Sequence, residues 1–265
     1  MPALDPSVRP TLGLGLLSIG KPWGYRPHAV PTYEDVEPFL RCALDLGIRY
    51  LDTAASYGDG EEKLGRFLSG LSREERASLT VATKFGEHWD SAVGAPFVDH
   101  SYDGLARSLD RSLTRLGKID VLHVHRASVD VIRLPGVERA VEYARAAGIA
   151  VIGPSVSAPE AGKLALERSW VTALQFPFNE GHTAFTDVLL AAQTRNLFVV
   201  TNRPFGEGRL LYDDTGMVRL GRERFKDLLT FVTRRVGRAT ILLGTSSIDH
   251  LRENVAAYRQ AVGIE

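Results

Sequence analysis

Four side chains of this sequence could do chemistry together: Asp52, Tyr57, Lys84 and His125. A phenol works as a general acid or base near neutral pH only if something lowers its pKa from about 10. A neighbouring ammonium favours the phenolate, and a carboxylate that anchors the ammonium keeps it charged and in place. Asp52 and Tyr57 lie in GIRYLDTAASYGDGEEKLGRF (Gly47–Phe67), Lys84 closes LTVATK, and His125 closes IDVLHVH. On this reading Asp52 holds Lys84, Lys84 lowers the pKa of Tyr57, and His125 hydrogen-bonds a substrate oxygen that Tyr57 protonates or deprotonates. Each residue alone has a plainer role. Asp52 suits a turn or a helix N-cap, Lys84 a solvated loop, Tyr57 a rim aromatic and His125 a satisfied core position. Only a fold that brings all four to one rim selects the chemical reading.

The elements around them supply such a fold. Short Val/Ile/Leu-rich runs, apolar on both faces, alternate with amphipathic stretches, as parallel strands buried beneath helices do. Strands are expected over Leu12–Gly20, Ile48–Leu51, Leu79–Lys84, Ile119–His125, Ile149–Gly153, Thr172–Phe176, Leu197–Thr201 and Ala239–Gly244. Helices are expected at about 32–46, 61–68, 102–116, 137–147, 159–168, 186–195, 222–236 and 248–261. Eight such units closed on themselves form a (β/α)8 TIM barrel, class α/β, in one domain over residues 1–265, with 1–10 as a loose lead-in. Functional residues in that fold stand at the C-terminal ends of strands. There Asp52, Lys84 and His125 fall on three consecutive strands, with Tyr57 in the loop after the first.

Composition narrows the partners. Lys+Arg and Asp+Glu each total 32, so no net charge draws the chain to nucleic acid or to an anionic membrane. No apolar run approaches about 18 residues, and the N-terminus lacks a signal-peptide layout. The single cysteine, Cys42, sits in an apolar helical pattern and cannot form an internal disulfide. A cytoplasmic protein, monomeric or a small homo-oligomer, is expected.

The run GIRYLDTAASYGDGEEKLG, followed by ATK and IDVLHVH, resembles the aldo-keto reductase superfamily over almost the whole chain. The resemblance implies a (β/α)8 barrel, a catalytic tetrad at Asp52, Tyr57, Lys84 and His125, and a cytoplasmic oxidoreductase. Its cofactor would be NADPH, with NADH as an alternative, and its substrate a small carbonyl compound or alcohol. Cofactor contacts are implied at Ser155, Gln175, Asn202, Arg203, Pro204, Phe205, Gly244, Thr245, Ser246, His250, Glu253 and Asn254. Trp23, Tyr25, His88 and Trp89 would wall the substrate pocket, and no metal is implied. The chain ends 11 residues after Asn254, from which an open pocket is expected.

The sequence departs from the family pattern on the cofactor side. Val156 follows Ser155 where an amide would serve the nicotinamide, and Asn202 stands where an aromatic commonly stacks. Gly244 and His250 replace a lysine and an arginine that grip the adenosine phosphate, a loss Arg203 and Arg209 could partly offset. Weak cofactor binding or weak NADPH/NADH discrimination is therefore expected. A barrel that kept the tetrad and lost the cofactor would do proton-transfer chemistry as an isomerase, dehydratase or cyclase. Two further alternatives are a metal site built on His123 and His125, and a non-catalytic binding barrel.

Overall fold

The computed structural model describes residues 9–25, 29–218 and 220–264. Ten strands follow in chain order: β1 (Thr11–Gly15), β2 (Tyr50–Asp52), β3 (Thr80–Phe85), β4 (Glu87–Asp90), β5 (Ala95–Val98), β6 (Val121–Val124), β7 (Val151–Pro154), β8 (Ala173–Pro177), β9 (Phe198–Asn202) and β10 (Thr240–Gly244). Eight of them form one sheet in the order β7-β6-β3-β2-β1-β10-β9-β8, with every adjacent pair parallel. The two end strands meet and nearly close the barrel. Thr172 N donates to Ile152 O at 2.8 Å, Val156 N donates to Gln175 O at 2.9 Å, and Ser155 bridges Gln175. Gly153 permits this seam, because a Cβ there would lie 1.6 Å from the carbonyl oxygen of Ala173.

Helices cover the outside of the sheet, and the main core lies between the two layers. The barrel interior has a smaller core of its own, made of Tyr50, Ala82, Val121, Ala173, Val200 and Leu242. Strand side chains alternate faces, so the residue two positions further on points the same way, one level nearer the C-terminal rim. Those residues are Asp52, Lys84, His123, Gln175, Asn202 and Gly244. The period of two in the strands thus aims five polar side chains toward the barrel mouth and leaves the β10 position open at Gly244.

Most of the expected elements are present with shifted ends. The helix at 102–116 is observed as Tyr102–Leu116, with Ser101 accepting from Gly104 N as its cap. Short helices at Arg73–Ala77, Val129–Arg133 and Gly206–Leu211 are additional, and three further features differ. The expected first strand ends at Gly15, and Leu17–Gly20 is a single helical turn whose Ile19 is buried in the core while Leu17 lines the cavity. The long connection after Lys84 contains an antiparallel hairpin, β4 with β5, which tolerates Pro96 because β5 is an edge strand. The lead-in expected at 1–10 lies outside the described residues up to residue 8. Pro10 within it is buried, and its carbonyl accepts the Tyr258 hydroxyl. Among the described residues, no helix is long and apolar enough to cross a membrane.

Candidate active site

Asp52 ends β2 and Lys84 stands one residue before the end of β3, its hydrogen-bonded neighbour. Both side chains are buried. The Lys84 ammonium is ion-paired with Asp52 Oδ1 and donates to Thr53 O at 2.9 Å. The second Asp52 oxygen accepts from Gln175 Nε2 at 3.0 Å, and Gln175 Oε1 accepts from Ser155 Oγ at 2.8 Å. A chain of polar contacts therefore crosses the mouth from β7 through β8 to β2 and β3. Burial alone would pull the Lys84 pKa down, but the charges and hydrogen bonds of Asp52 and Tyr57 more than offset it and leave it raised. Lys84 is a charged ammonium at neutral pH.

Tyr57 sits beside this pair, with Lys84 Nζ 5.1 Å from its ring centroid. Its loop is held by a backbone contact that only glycines allow. A Cβ on Gly20 would lie 1.7 Å from the Tyr57 carbonyl oxygen, and one on Gly58, at φ +57°, would lie 2.1 Å from the Gly20 oxygen. Burial pushes the Tyr57 pKa up, and the nearby Asp52 and Glu87 charges add to that. The Lys84 charge and hydrogen bond oppose the rise without cancelling it. The expected lowering is thus present as a contribution from Lys84, while the net direction is upward. Tyr57 holds its proton at neutral pH.

His125 follows β6 and packs edge-on against Tyr57, with ring centroids 5.8 Å apart. Its Nδ1 lies 3.1 Å from Glu87 Oε2 and 3.3 Å from Ser56 Oγ. Glu87 is buried and also accepts from Ser56 Oγ at 2.7 Å and from Arg126 Nη1 at 2.9 Å. Burial, with the cations Lys84, Lys21 and Arg126 around it, holds the His125 pKa well below the usual histidine value. The ring is therefore neutral. A neutral imidazole facing a carboxylate through Nδ1 carries its proton there, which leaves Nε2 as a hydrogen-bond acceptor. His123, two residues earlier, is fully buried in the barrel. Its pKa is pushed down to about 3 by burial and then by Lys84, against a smaller opposing contribution from the Gly153 backbone.

Asp52, Tyr57, Lys84 and His125 all border one cavity of ≈ 950 Å³ at the C-terminal rim. Ser155, Gln175, Asn202, Arg203, Pro204, Phe205, Gly244, Thr245, Ser246 and His250 line it too, as do Trp23 and Tyr25. Tyr25 closes part of the mouth, its N donating to Glu207 O at 2.9 Å and its ring 5.2 Å from that of Tyr212. Four of the expected residues are placed elsewhere. His88 is buried against Phe97 and receives Arg111 Nη2 at 2.9 Å, because the hairpin turns it away from the cavity. Trp89 does not line the cavity but stands behind Lys21. Glu253 is paired with Arg222 at 3.0 Å, and Asn254 is on the buried face of the final helix, Ile248–Val262. Arg203 is ion-paired with Glu207 at 3.1 Å. Sequence reasoning missed Glu87, Ser56, Arg126 and Lys21. The first three lie within four positions of Lys84, Tyr57 and His125, and that adjacency was the available signal. Among the described residues, no group of three or more His, Cys, Asp or Glu is placed to hold a metal ion.

The Aldo/keto reductase family model matches residues 11–227. The chain belongs to this family. It is 30% identical over 213 residues to aldo-keto reductase yakc (NADP(+)) of Schizosaccharomyces pombe, a match covering 76% of this chain and 59% of that protein. With pyridoxal 4-dehydrogenase of Microbacterium luteolum it shares 26% identity, covering 95% and 90% of the two chains. A solved Pseudomonas aeruginosa structure assigned to the aldo-keto reductases superposes with a TM-score of 0.79 at 26% identity, covering 99% and 94%. As an aldo-keto reductase family member the chain takes its place among oxidoreductases, on a single-domain barrel.

Proposed function

We propose that the protein is an NAD(P)H-dependent carbonyl reductase, or the corresponding alcohol dehydrogenase, with Asp52, Tyr57, Lys84 and His125 as its catalytic set. The observation that carries this reading is the buried Lys84 ammonium, paired with Asp52 and adjoining the protonated phenol of Tyr57 at a cavity wall. The residues facing the cavity suit a nicotinamide dinucleotide. Asn202 Oδ1 is buried without a hydrogen-bond partner among the described residues and lines the cavity, so it can accept from a carboxamide. The 15-residue final helix, Ile248–Val262, presents its N-terminus through Ser246, Ser247 and His250, where backbone N–H groups favour phosphate. Phe205 and Trp23 offer apolar surface to a ring.

The bound cofactor would supply or accept the hydride at the substrate carbon. During reduction Tyr57 gives its proton to the carbonyl oxygen as the carbon–oxygen π pair moves onto that oxygen. Lys84 then stabilises the phenolate that remains, and Asp52 keeps Lys84 charged and fixed. In the reverse reaction the alcohol gives its hydroxyl proton to the Tyr57 phenolate as hydride leaves its carbon, and the neutral His125 ring, packed edge-on against Tyr57 at the cavity wall, confines the reacting oxygen beside the phenol. NADPH is the proposed cofactor, with NADH as the alternative. Titrating NADPH while following nicotinamide fluorescence, then assaying aldehyde reduction, tests the reading. Saturable binding with turnover is expected. No binding up to millimolar concentration would sink it and favour cofactor-free proton transfer.

A further inference from the structure

Lys21 follows the helical turn Leu17–Gly20, where its backbone N donates to Leu17 O at 3.2 Å. Its side chain is half-buried at the cavity wall, with the ammonium 5.7 Å from the Tyr57 ring centroid and 5.9 Å from that of Trp89. The carboxylates of the cavity wall have other partners. Asp52 is held by Lys84 and Gln175, Glu87 by Arg126, Ser56 and His125, and Glu207 by Arg203. Among the described residues, none is within ion-pair distance of Lys21. Burial lowers the Lys21 pKa, the Glu87 charge opposes that, and Arg126 adds to the lowering. Lys21 and Arg126 against Glu87 leave this wall with one uncompensated positive charge. Both cations border the same cavity as Tyr57 and His125.

A partly desolvated ammonium above the proton donor, backed by aromatic faces, is an anion receptor. We infer that Lys21, with Arg126 lining the same cavity, receives an anionic group on the substrate. The site would then favour carbonyl compounds that carry a carboxylate or phosphate a few bonds from the reacting carbon. This rests on the reductase reading above. A carboxylate and a phosphate make the same kind of contact with an ammonium, so the test carries an arm for each.

The test compares kcat/KM, with NADPH, for 4-oxobutanoate against butanal and for glyceraldehyde 3-phosphate against glyceraldehyde. At least one anionic member should be preferred by roughly 10- to 100-fold, the range of one charge-assisted contact. The pair with the larger ratio identifies the anion. Lys21→Met should bring that ratio close to one, and Lys21→Arg should retain it. A ratio near one in the wild type, an unchanged ratio in Lys21→Met, or a loss falling equally on both members of a pair overturns the inference. If none of the four compounds turns over, the reductase reading fails on its own account. Titration with succinate and with inorganic phosphate, followed by tryptophan fluorescence, then decides the anion site. Binding by the wild type and not by Lys21→Met upholds it, and equal or absent binding ends it.

Discussion

Gln175 Nε2 donates to Asp52 Oδ2 at 3.0 Å, joining β8 to the acid that anchors Lys84 on the far side of the barrel mouth. Asp52 is thereby held from two sides, by a cation and by an amide. Gln175→Leu removes the amide and leaves one buried carboxylate oxygen unsatisfied, which costs about 1–3 kcal/mol. Urea unfolding should show a loss of that size, with a fall in kcat larger than the change in KM. Wild-type stability together with wild-type kcat would mean that Lys84 alone positions Asp52.

Tyr57→Phe should lower kcat for carbonyl reduction by roughly 10²- to 10⁴-fold, the usual worth of a positioned proton donor. NADPH affinity should be nearly unchanged. The raised pKa of Tyr57 sets the pH response. Reduction needs the phenol, so its rate should hold across neutral pH and fall only as pH rises above the ordinary tyrosine value. Oxidation needs the phenolate and should gain over the same range. Retained turnover in the variant would show that the proton comes from another group.

Lys84→Met leaves Asp52 buried without its cation, and losing one partner of a buried ion pair costs about 3–5 kcal/mol. The variant should therefore unfold at lower denaturant and also lose reduction. Assays at a temperature where circular dichroism shows it folded separate the two effects. Near-normal turnover under those conditions would contradict the Lys84–Tyr57 pairing.

His123 gives a pH signature in stability. Its folded pKa of about 3 lies below the usual histidine value, so between those pH values the unfolded chain binds the extra proton and the folded chain does not. Stability therefore rises with pH across that window and is lost as pH falls through it, by up to about 5 kcal/mol. His123→Asn should flatten this acid limb in thermal melts at pH 4 to 7. An unchanged limb would place the proton uptake elsewhere.

His250→Arg adds a permanent guanidinium at the start of the final helix, on the cavity wall. An arginine there can pair with the adenosine 2′-phosphate, so NADPH should tighten about tenfold relative to NADH. Equal tightening of both cofactors would mean that the phosphate sits away from this position.

Much of the barrel was readable from short-range pattern. Fully apolar strand runs marked the sheet, and amphipathic stretches such as Tyr102–Leu116 marked the helices. The hairpin of β4 and β5 was not readable, since Pro96 and the short alternation of EHWDSAVGAPFV signal a loop until the partner strand is known. Leu16, Leu17 and Ile19 gave the same apolar signal whether strand or helix. The structure ends the strand at Gly15 and sets Gly20 against the Tyr57 loop, a contact between segments distant in sequence.

For the site, residue types and their placement at strand ends proposed Asp52, Tyr57, Lys84 and His125 as one group before any coordinates. That inference needs only the period of two within strands and the order of strands along the chain, both of which are local properties. The direction of the Tyr57 pKa, the tautomer imposed on His125 by Glu87, the turning-away of His88 and the unpaired charge of Lys21 all depend on burial and on partners distant in sequence. Desolvation and Coulomb interactions act through space, so only the packed barrel decides them.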